Sequence, residues 1–132
     1  MSEKWMTRTG WTLSALYALF MVAASVAPKF LTDIGQQTMA ALGWPEAPVP
    51  LIGALELVCM LLFLIPRTAL LGATLTMAIF GGAIVTQMRA DSPLFSHTLF
   101  SFYLGALMWA GLWLRDPGIR AVWPIRRRFQ SS

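Results

Sequence analysis

Residues 49–90 decide the fold of this chain, and they read VPLIGALELVCMLLFLIPRTALLGATLTMAIFGGAIVTQMRA. Two apolar runs, 51–65 and 68–88, are separated by a single Pro-Arg pair. So short a turn predicts two antiparallel helices, the second of which, at about 31 Å, is long enough to span a membrane. One acid, Glu56, lies inside the first run without a charged neighbour in the sequence, and an acid at such a depth requires an explanation.

The composition is typical of a membrane protein. Of 132 residues, 57% are hydrophobic and 12% are charged, against roughly 45–50% and about 25% in soluble domains. The 10 Lys and Arg residues flank apolar runs, so membrane lipid is the expected partner and nucleic acid is not. One Cys and one His cannot build a zinc site, a CxxC redox pair or a bis-histidine haem site, so we expect no metal and no intrinsic cofactor.

Four apolar segments predict an all-α membrane protein, with one antiparallel up-down bundle of four transmembrane helices over residues 1–132. The helices are expected at about 11–27, 50–65, 68–88 and 95–114, with a basic cytoplasmic tail over 115–132. Apolar residues at helical spacing in the first long connection predict a short interfacial helix there. A signal peptide is the alternative for the first segment, but Pro28 directly follows the would-be cleavage site and favours a retained helix.

The positive charges predict the orientation. If both termini are cytoplasmic, two basic residues, Lys29 and Arg89, lie outside and eight lie inside. The eight are Lys4, Arg8, Arg67, Arg115, Arg120, Arg126, Arg127 and Arg128. This bias predicts that the N and C termini both face the cytoplasm.

Depth along the helices sorts the polar side chains into two layers. Glu56 lies about 12 Å below the outer helix ends, at 1.5 Å per residue. Its candidate hydroxyl partners at that depth are Tyr17, Thr76 and Tyr103, and the outer layer contains Lys29, Gln87, Arg89 and His97. We therefore expect a narrow apolar pocket that opens outward, with Glu56 at its floor and these eight residues as candidate ligand-binding residues.

Each candidate also has a simpler interpretation. Glu56 either binds a ligand or proton, or it is a neutral structural acid that fixes the helix register through a hydrogen bond. Lys29 and Arg89 stand where basic side chains usually reach towards lipid headgroups. His97 occupies a position typical of an interfacial residue.

The motifs of the chain resemble those of the DoxX-like family of small bacterial four-helix integral membrane proteins. The resemblance covers about residues 13–124 and is most specific in ELVCMLLFLIPRTALLG from Glu56, in GGA at 81–83 and in LRDP at 114–117. It implies the bacterial cytoplasmic (inner) membrane, a Glu in the second helix and a polar cluster after the third, which Gln87 and Arg89 match. The family is named after a subunit linked to thiosulfate:quinone oxidoreduction.

Three functions are compatible with these features. The first is a ligand-binding or accessory subunit that holds a hydrophobic small molecule, for which a bound quinone is a candidate. The second is a membrane enzyme, either a quinone-linked oxidoreductase subunit or an isomerase that uses Glu56 as the catalytic acid or base. The third is a structural subunit without a ligand, in a homo-oligomer or with a partner oxidoreductase subunit.

Overall fold

The computed structural model describes residues 2–126, and all regular structure in that part of the chain is helical. The α-helices are α1 (Glu3–Met21), α2 (Ala27–Leu31), α3 (Ile34–Ala41), α4 (Val49–Leu64), α5 (Ala69–Arg89), α6 (Phe100–Arg115) and α7 (Pro117–Val122). Two π-helical segments complete the architecture. The first, Val22–Val26, joins α1 to α2, and the second, Leu94–Thr98, precedes α6.

The long helices pack in a ring. α1 lies along α6, α6 against α5, and α5 against α4, while α4 packs against the first π segment and α2. The buried core includes Tyr17, Met21, Phe63, Phe80, Met108 and Leu112. Gly72 allows α4 and α5 to approach closely, because a Cβ atom there would lie 2.7 Å from the carbonyl oxygen of Cys59.

The first helix is longer than the predicted 11–27, since helical structure is continuous over Glu3–Leu31. At its start, Ser2 caps the helix by accepting a hydrogen bond from the backbone N–H of Trp5 at 3.3 Å. Near its end, the expected break at Pro28 does not occur. The π segment directly precedes α2 and places Pro28 in its first turn, a position where proline is tolerated.

The other predicted helices are found within one residue of their expected ends. α4 and α5 correspond to 50–65 and 68–88, and the second π segment with α6 corresponds to 95–114. A short helix in the first connection, α3, is present. The helix α7 was not predicted, although Asp116 before a proline is a common helix start. Asp116 accepts from the N–H groups of Gly118 and Ile119 at 2.9 and 3.4 Å.

Most of the apolar surface of the helices faces outward. Glu3–Leu31 and Ala69–Arg89 are long and apolar enough to cross a membrane, and α4 is a shorter apolar helix. In the most apolar window of these two long helices, 33% and 28% of the residues are buried inside the protein. A core helix of a soluble protein would instead be mostly buried.

Arg115 joins three helices at the end of the bundle where the first helix begins. Its guanidinium donates to the backbone carbonyl of Phe63, in the last turn of α4. The same group lies 4.2 Å from the ring centroid of Trp11 and 4.4 Å from that of Phe63. Arg115, which we predicted to begin the basic tail, is therefore a buried packing residue.

Arg120 is buried at the same end of the bundle. It donates to the backbone carbonyls of Trp113 and Leu114 at 3.1 and 2.6 Å, which satisfies acceptors at the end of α6. Its other nitrogen donates to both carboxylate oxygens of Glu3, at 3.1 and 3.0 Å. The predicted tail thus folds back on the bundle as far as α7, and Arg127 and Arg128 lie outside the described residues.

Candidate functional site

A cavity of about 660 Å³ lies between the end of the first helix, α3, α4, α5 and the start of α6. We call it the central cavity. Its walls are largely apolar and include Phe20, Ile52, Leu55, Ile79, Phe80 and Leu104. Several polar side chains also line it, among them Ser25, Lys29, Glu56 and Gln87. The predicted apolar pocket inside the bundle thus has a physical counterpart in the structure.

Glu56 forms an ion pair in the wall of this cavity. Its Oε2 lies 3.1 Å from the Nζ of Lys29, and the side chains of the two residues are 9% and 19% exposed. Ser25 bridges them, because its hydroxyl donates to Oε2 at 2.9 Å and accepts from Nζ at 2.8 Å. Lys29 also donates to the backbone carbonyl of Ser25 at 3.0 Å.

The local sequence explains how the lysine reaches the acid. Ser25 and Lys29 are four residues apart in one continuous helix, so their side chains lie on the same face. On α4, Gly53 precedes Glu56 by one turn and leaves room for the lysine side chain. A Cβ atom at Gly53 would lie 3.1 Å from the Cβ of Lys29.

The ion pair is electrically neutral as a unit. Burying each charge separately would carry a desolvation cost of several kcal/mol, on the order of that found for ions inside proteins. The mutual attraction of the charges and the hydrogen bonds of Ser25 offset this cost. The pair therefore places a strongly polar but uncharged patch in an apolar wall.

Two oxygen atoms at the cavity have no hydrogen-bond partner in the described part of the chain. Both hydrogen bonds to Glu56 end on Oε2, so that Oε1 accepts none from the protein. The amide oxygen of Gln87 is buried and likewise lacks a donor. Oε1 of Glu56 is therefore the position at which a ligand in the cavity can gain a hydrogen bond.

Three of the eight predicted site residues line the central cavity: Lys29, Glu56 and Gln87. Lys29 was expected at the outer mouth, about 12 Å from the acid, and this placement was wrong. The error arose because the depth estimate ended the first helix before Lys29, whereas the helix continues to Leu31 and turns the lysine inward. Ser25 was missed, and its four-residue spacing from Lys29 was the available signal.

The other five predicted residues do not line the cavity. Thr76 is buried and donates to the carbonyl of Gly72 at 2.7 Å, and the buried hydroxyl of Tyr17 has no hydrogen-bond partner within residues 2–126. Tyr103 is 44% exposed, so it is not the partner of Glu56 that we expected. Arg89 and His97 are exposed, and Nδ1 of His97 lies 2.8 Å from the hydroxyl of Ser96.

A second cavity, also about 660 Å³, is an open groove on the outer side of α6. It contains no ionisable side chain among the described residues that line it. Two of its walls are the rings of Trp109 and Trp123, which stack at 4.6 Å with 8° between their planes. Among its described lining residues, the groove offers no polar group comparable to the Glu56–Lys29 pair.

Within residues 2–126, no group of three or more His, Cys, Asp or Glu residues is arranged to hold a metal ion. Comparison with protein families identifies the family to which the chain is similar. The model of the DoxX-like family matches residues 12–111. This range includes the first helix from Thr12 onward and both residues of the ion pair, Lys29 and Glu56. Comparisons with curated proteins and with solved structures find no match.

Proposed function

The chain belongs to the DoxX-like family, and from that premise we propose that it is an integral membrane protein that holds a hydrophobic small molecule inside its helix bundle. The observation that carries this proposal is the central cavity, whose apolar walls converge on the neutral Glu56–Lys29 pair. Cavities of roughly 300–1,000 Å³ with apolar walls and a few convergent polar groups are typical of small-molecule sites.

Four membrane-crossing helices are the arrangement that we favour. The outward-facing apolar side chains of the first helix and α5 support it, because such a surface is stable in lipid. The exposed basic residues Lys4, Arg8 and Arg67 lie at the end of the bundle where α1 begins and α4 ends. By the positive-inside rule, this end faces the cytoplasm, together with both termini, in a bacterial inner membrane.

The proposed ligand has an apolar body and a small polar head. The body would contact the aromatic and aliphatic walls, and the head would lie at the Glu56–Lys29 pair. A quinone belongs to this class, and a role as a ligand-binding or accessory subunit follows. Acid–base catalysis by Glu56 with Tyr103 or His97 has less support, because neither of these residues lines the cavity.

A pair of glycines allows the cavity to be blocked without touching the ion pair. Gly82 lines the cavity and Gly81 does not, yet a Cβ atom at either position would meet nothing within 4 Å. Gly82→Leu therefore places a bulky side chain in the cavity, whereas Gly81→Leu adds the same side chain outside it. Both changes raise helix propensity by roughly 1 kcal/mol, so neither is expected to unfold α5.

The experiment is native mass spectrometry with solvent extraction on protein purified gently from membranes. We expect a discrete apolar molecule with the wild type and with Gly81→Leu, and its loss with Gly82→Leu. A molecule that persists unchanged in Gly82→Leu would show that the ligand lies elsewhere. Bulk phospholipid alone in all three proteins would contradict ligand binding and favour a structural role.

A further inference from the structure

We infer that the ligand of the central cavity is an uncharged amphiphile whose polar head carries a hydroxyl group, and that this hydroxyl donates a hydrogen bond to Oε1 of Glu56. This inference rests on the proposed function and narrows it to a chemical class, which includes a quinol but not an oxidised quinone, whose head only accepts hydrogen bonds. It follows from which hydrogen-bonding groups of the site are already used within the protein and which remain free.

The hydrogen-bond donors of Lys29 and Ser25 are already used. The Lys29 ammonium has three N–H bonds, and the structure provides three acceptors for them: the carbonyl and hydroxyl oxygens of Ser25 and Oε2 of Glu56. The single hydroxyl hydrogen of Ser25 is directed to Oε2 as well. A ligand head that only accepts hydrogen bonds, such as a ketone or an ether, finds no free donor at the pair.

The acceptors are what remain free. An ionised carboxylate can only accept hydrogen bonds, and Oε1 of Glu56 receives none from the described residues. The amide oxygen of Gln87 also lacks a partner, but a flipped amide would place its NH₂ group at the same position. It is therefore Glu56 that indicates a hydrogen-bond donor on the ligand. The hydroxyls of Thr38 and Ser101, which line the cavity too, donate and accept equally well and do not discriminate.

Charge balance requires a neutral ligand. Lys29 and Glu56 are the two charged side chains among the described residues that line the cavity, and their charges cancel. A fatty acid anion would bring an unpaired negative charge next to the Glu56 carboxylate in an apolar cavity, at a large desolvation cost. A hydroxyl head gains a charge-assisted hydrogen bond to Oε1 without adding any charge.

Three probes with the same alkyl chain test this inference: tetradecanol, tetradecyl methyl ether and tetradecanoate. Their affinities for delipidated wild-type protein in a mild detergent can be measured by calorimetric titration at neutral pH. We expect the alcohol to bind at least about tenfold more tightly than the ether, as a hydrogen bond to a charged group predicts, and more tightly than the carboxylate.

Two variants locate the effect. The double variant Lys29→Met with Glu56→Met removes both charges together and leaves no unpaired ion, and it should bind the alcohol and the ether with equal affinity. Glu46→Gln, at an exposed acid away from the cavity, should keep the wild-type preference. A preference for the alcohol that survives in the double variant would overturn the role of Glu56.

The outcomes separate this inference from the proposed function. If the wild type binds alcohol and ether equally, or favours the ether or the carboxylate, the inferred hydroxyl class is wrong while a small-molecule site stands. If the wild type binds no probe and Gly82→Leu changes nothing, the cavity takes no such molecule, and the proposed function fails with the inference.

Discussion

The Nζ of Lys29 lies 3.1 Å from Oε2 of Glu56, across 27 residues of sequence. This contact joins the end of the first helix to the middle of α4, beside a cavity whose walls are otherwise mostly apolar. The hydroxyl of Ser25 completes the arrangement by bonding to both partners. The pair therefore has two roles, as a tie between two helices and as the polar end of the proposed ligand site.

The first prediction concerns the stability of this ion pair. Glu56→Gln leaves the Lys29 ammonium without a counter-charge. Lys29→Met likewise leaves the Glu56 carboxylate without one. Each change should lower the free energy of unfolding by about 2 kcal/mol, less than for a fully buried pair because Lys29 is 19% exposed. Unfolding in a mild detergent, followed by circular dichroism, measures the change.

The double variant Lys29→Met with Glu56→Met serves as the control for this prediction. It replaces the pair by apolar side chains and should recover stability to within about 1 kcal/mol of the wild type. If the effects of the single changes simply add in a Lys29→Met, Glu56→Gln double variant, the two side chains do not interact, and the geometry described here is not that of the protein in solution.

A second prediction distinguishes the ring of Tyr17 from its hydroxyl. The ring packs edge-on against Phe63, with 5.5 Å between the ring centroids, and the hydroxyl is buried without a partner. Tyr17→Phe should therefore leave stability within about 0.5 kcal/mol of the wild type or raise it. Tyr17→Ala should cost about 3–5 kcal/mol through loss of the buried ring. A large loss in Tyr17→Phe would reveal an unrecognised hydrogen bond.

The third prediction concerns Arg115 at the opposite end of the bundle. Lysine keeps the charge but cannot stack its planar group between Trp11 and Phe63 while donating to the carbonyl of Phe63. Arg115→Lys should destabilise the protein by about 2 kcal/mol. The matched control is Arg67→Lys, at an exposed turn residue, which should change stability by less than about 0.5 kcal/mol. Equal effects at both sites would contradict a packing role for Arg115.

A fourth prediction tests the orientation in the membrane. Glu46→Cys and Arg67→Cys place thiols in exposed connections at opposite ends of the bundle, while the native Cys59 is buried. In intact cells, a membrane-impermeant maleimide should label Glu46→Cys and not Arg67→Cys, and permeabilised cells should allow both to react. The reverse pattern in intact cells would place the termini outside.

The positions of the helices were largely predictable, because apolar runs bounded by turn residues are a strong signal. The first helix was the exception at both ends. Its N-terminal turns are polar, so no apolar periodicity marks them, yet they pack against α6 and α7 through contacts such as Glu3 with Arg120. At the other end, a proline such as Pro28 usually marks the end of a helix. Here the helix continues past it, because a π-helical segment precedes Pro28.

Individual site residues could be predicted only where their spacing within a single helix was sufficient to place them. The buried face of α4, with Gly53, Glu56 and Phe63, follows from the spacing of these residues within that helix. The pairing with Lys29 depends on how far another helix extends, which the sequence did not indicate. Tyr103 was placed at a suitable depth but on the wrong face, because α6 is apolar all round and its rotation cannot be read from periodicity.

The most direct test of the central claim is an experimental structure of the protein extracted in its native lipid. We predict elongated density inside the bundle, passing Gly82 and ending within hydrogen-bond distance of Oε1 of Glu56, with Lys29 still paired to Oε2. A collapsed cavity, or an Oε1 atom bonded to a protein donor with no density beside it, would contradict the account.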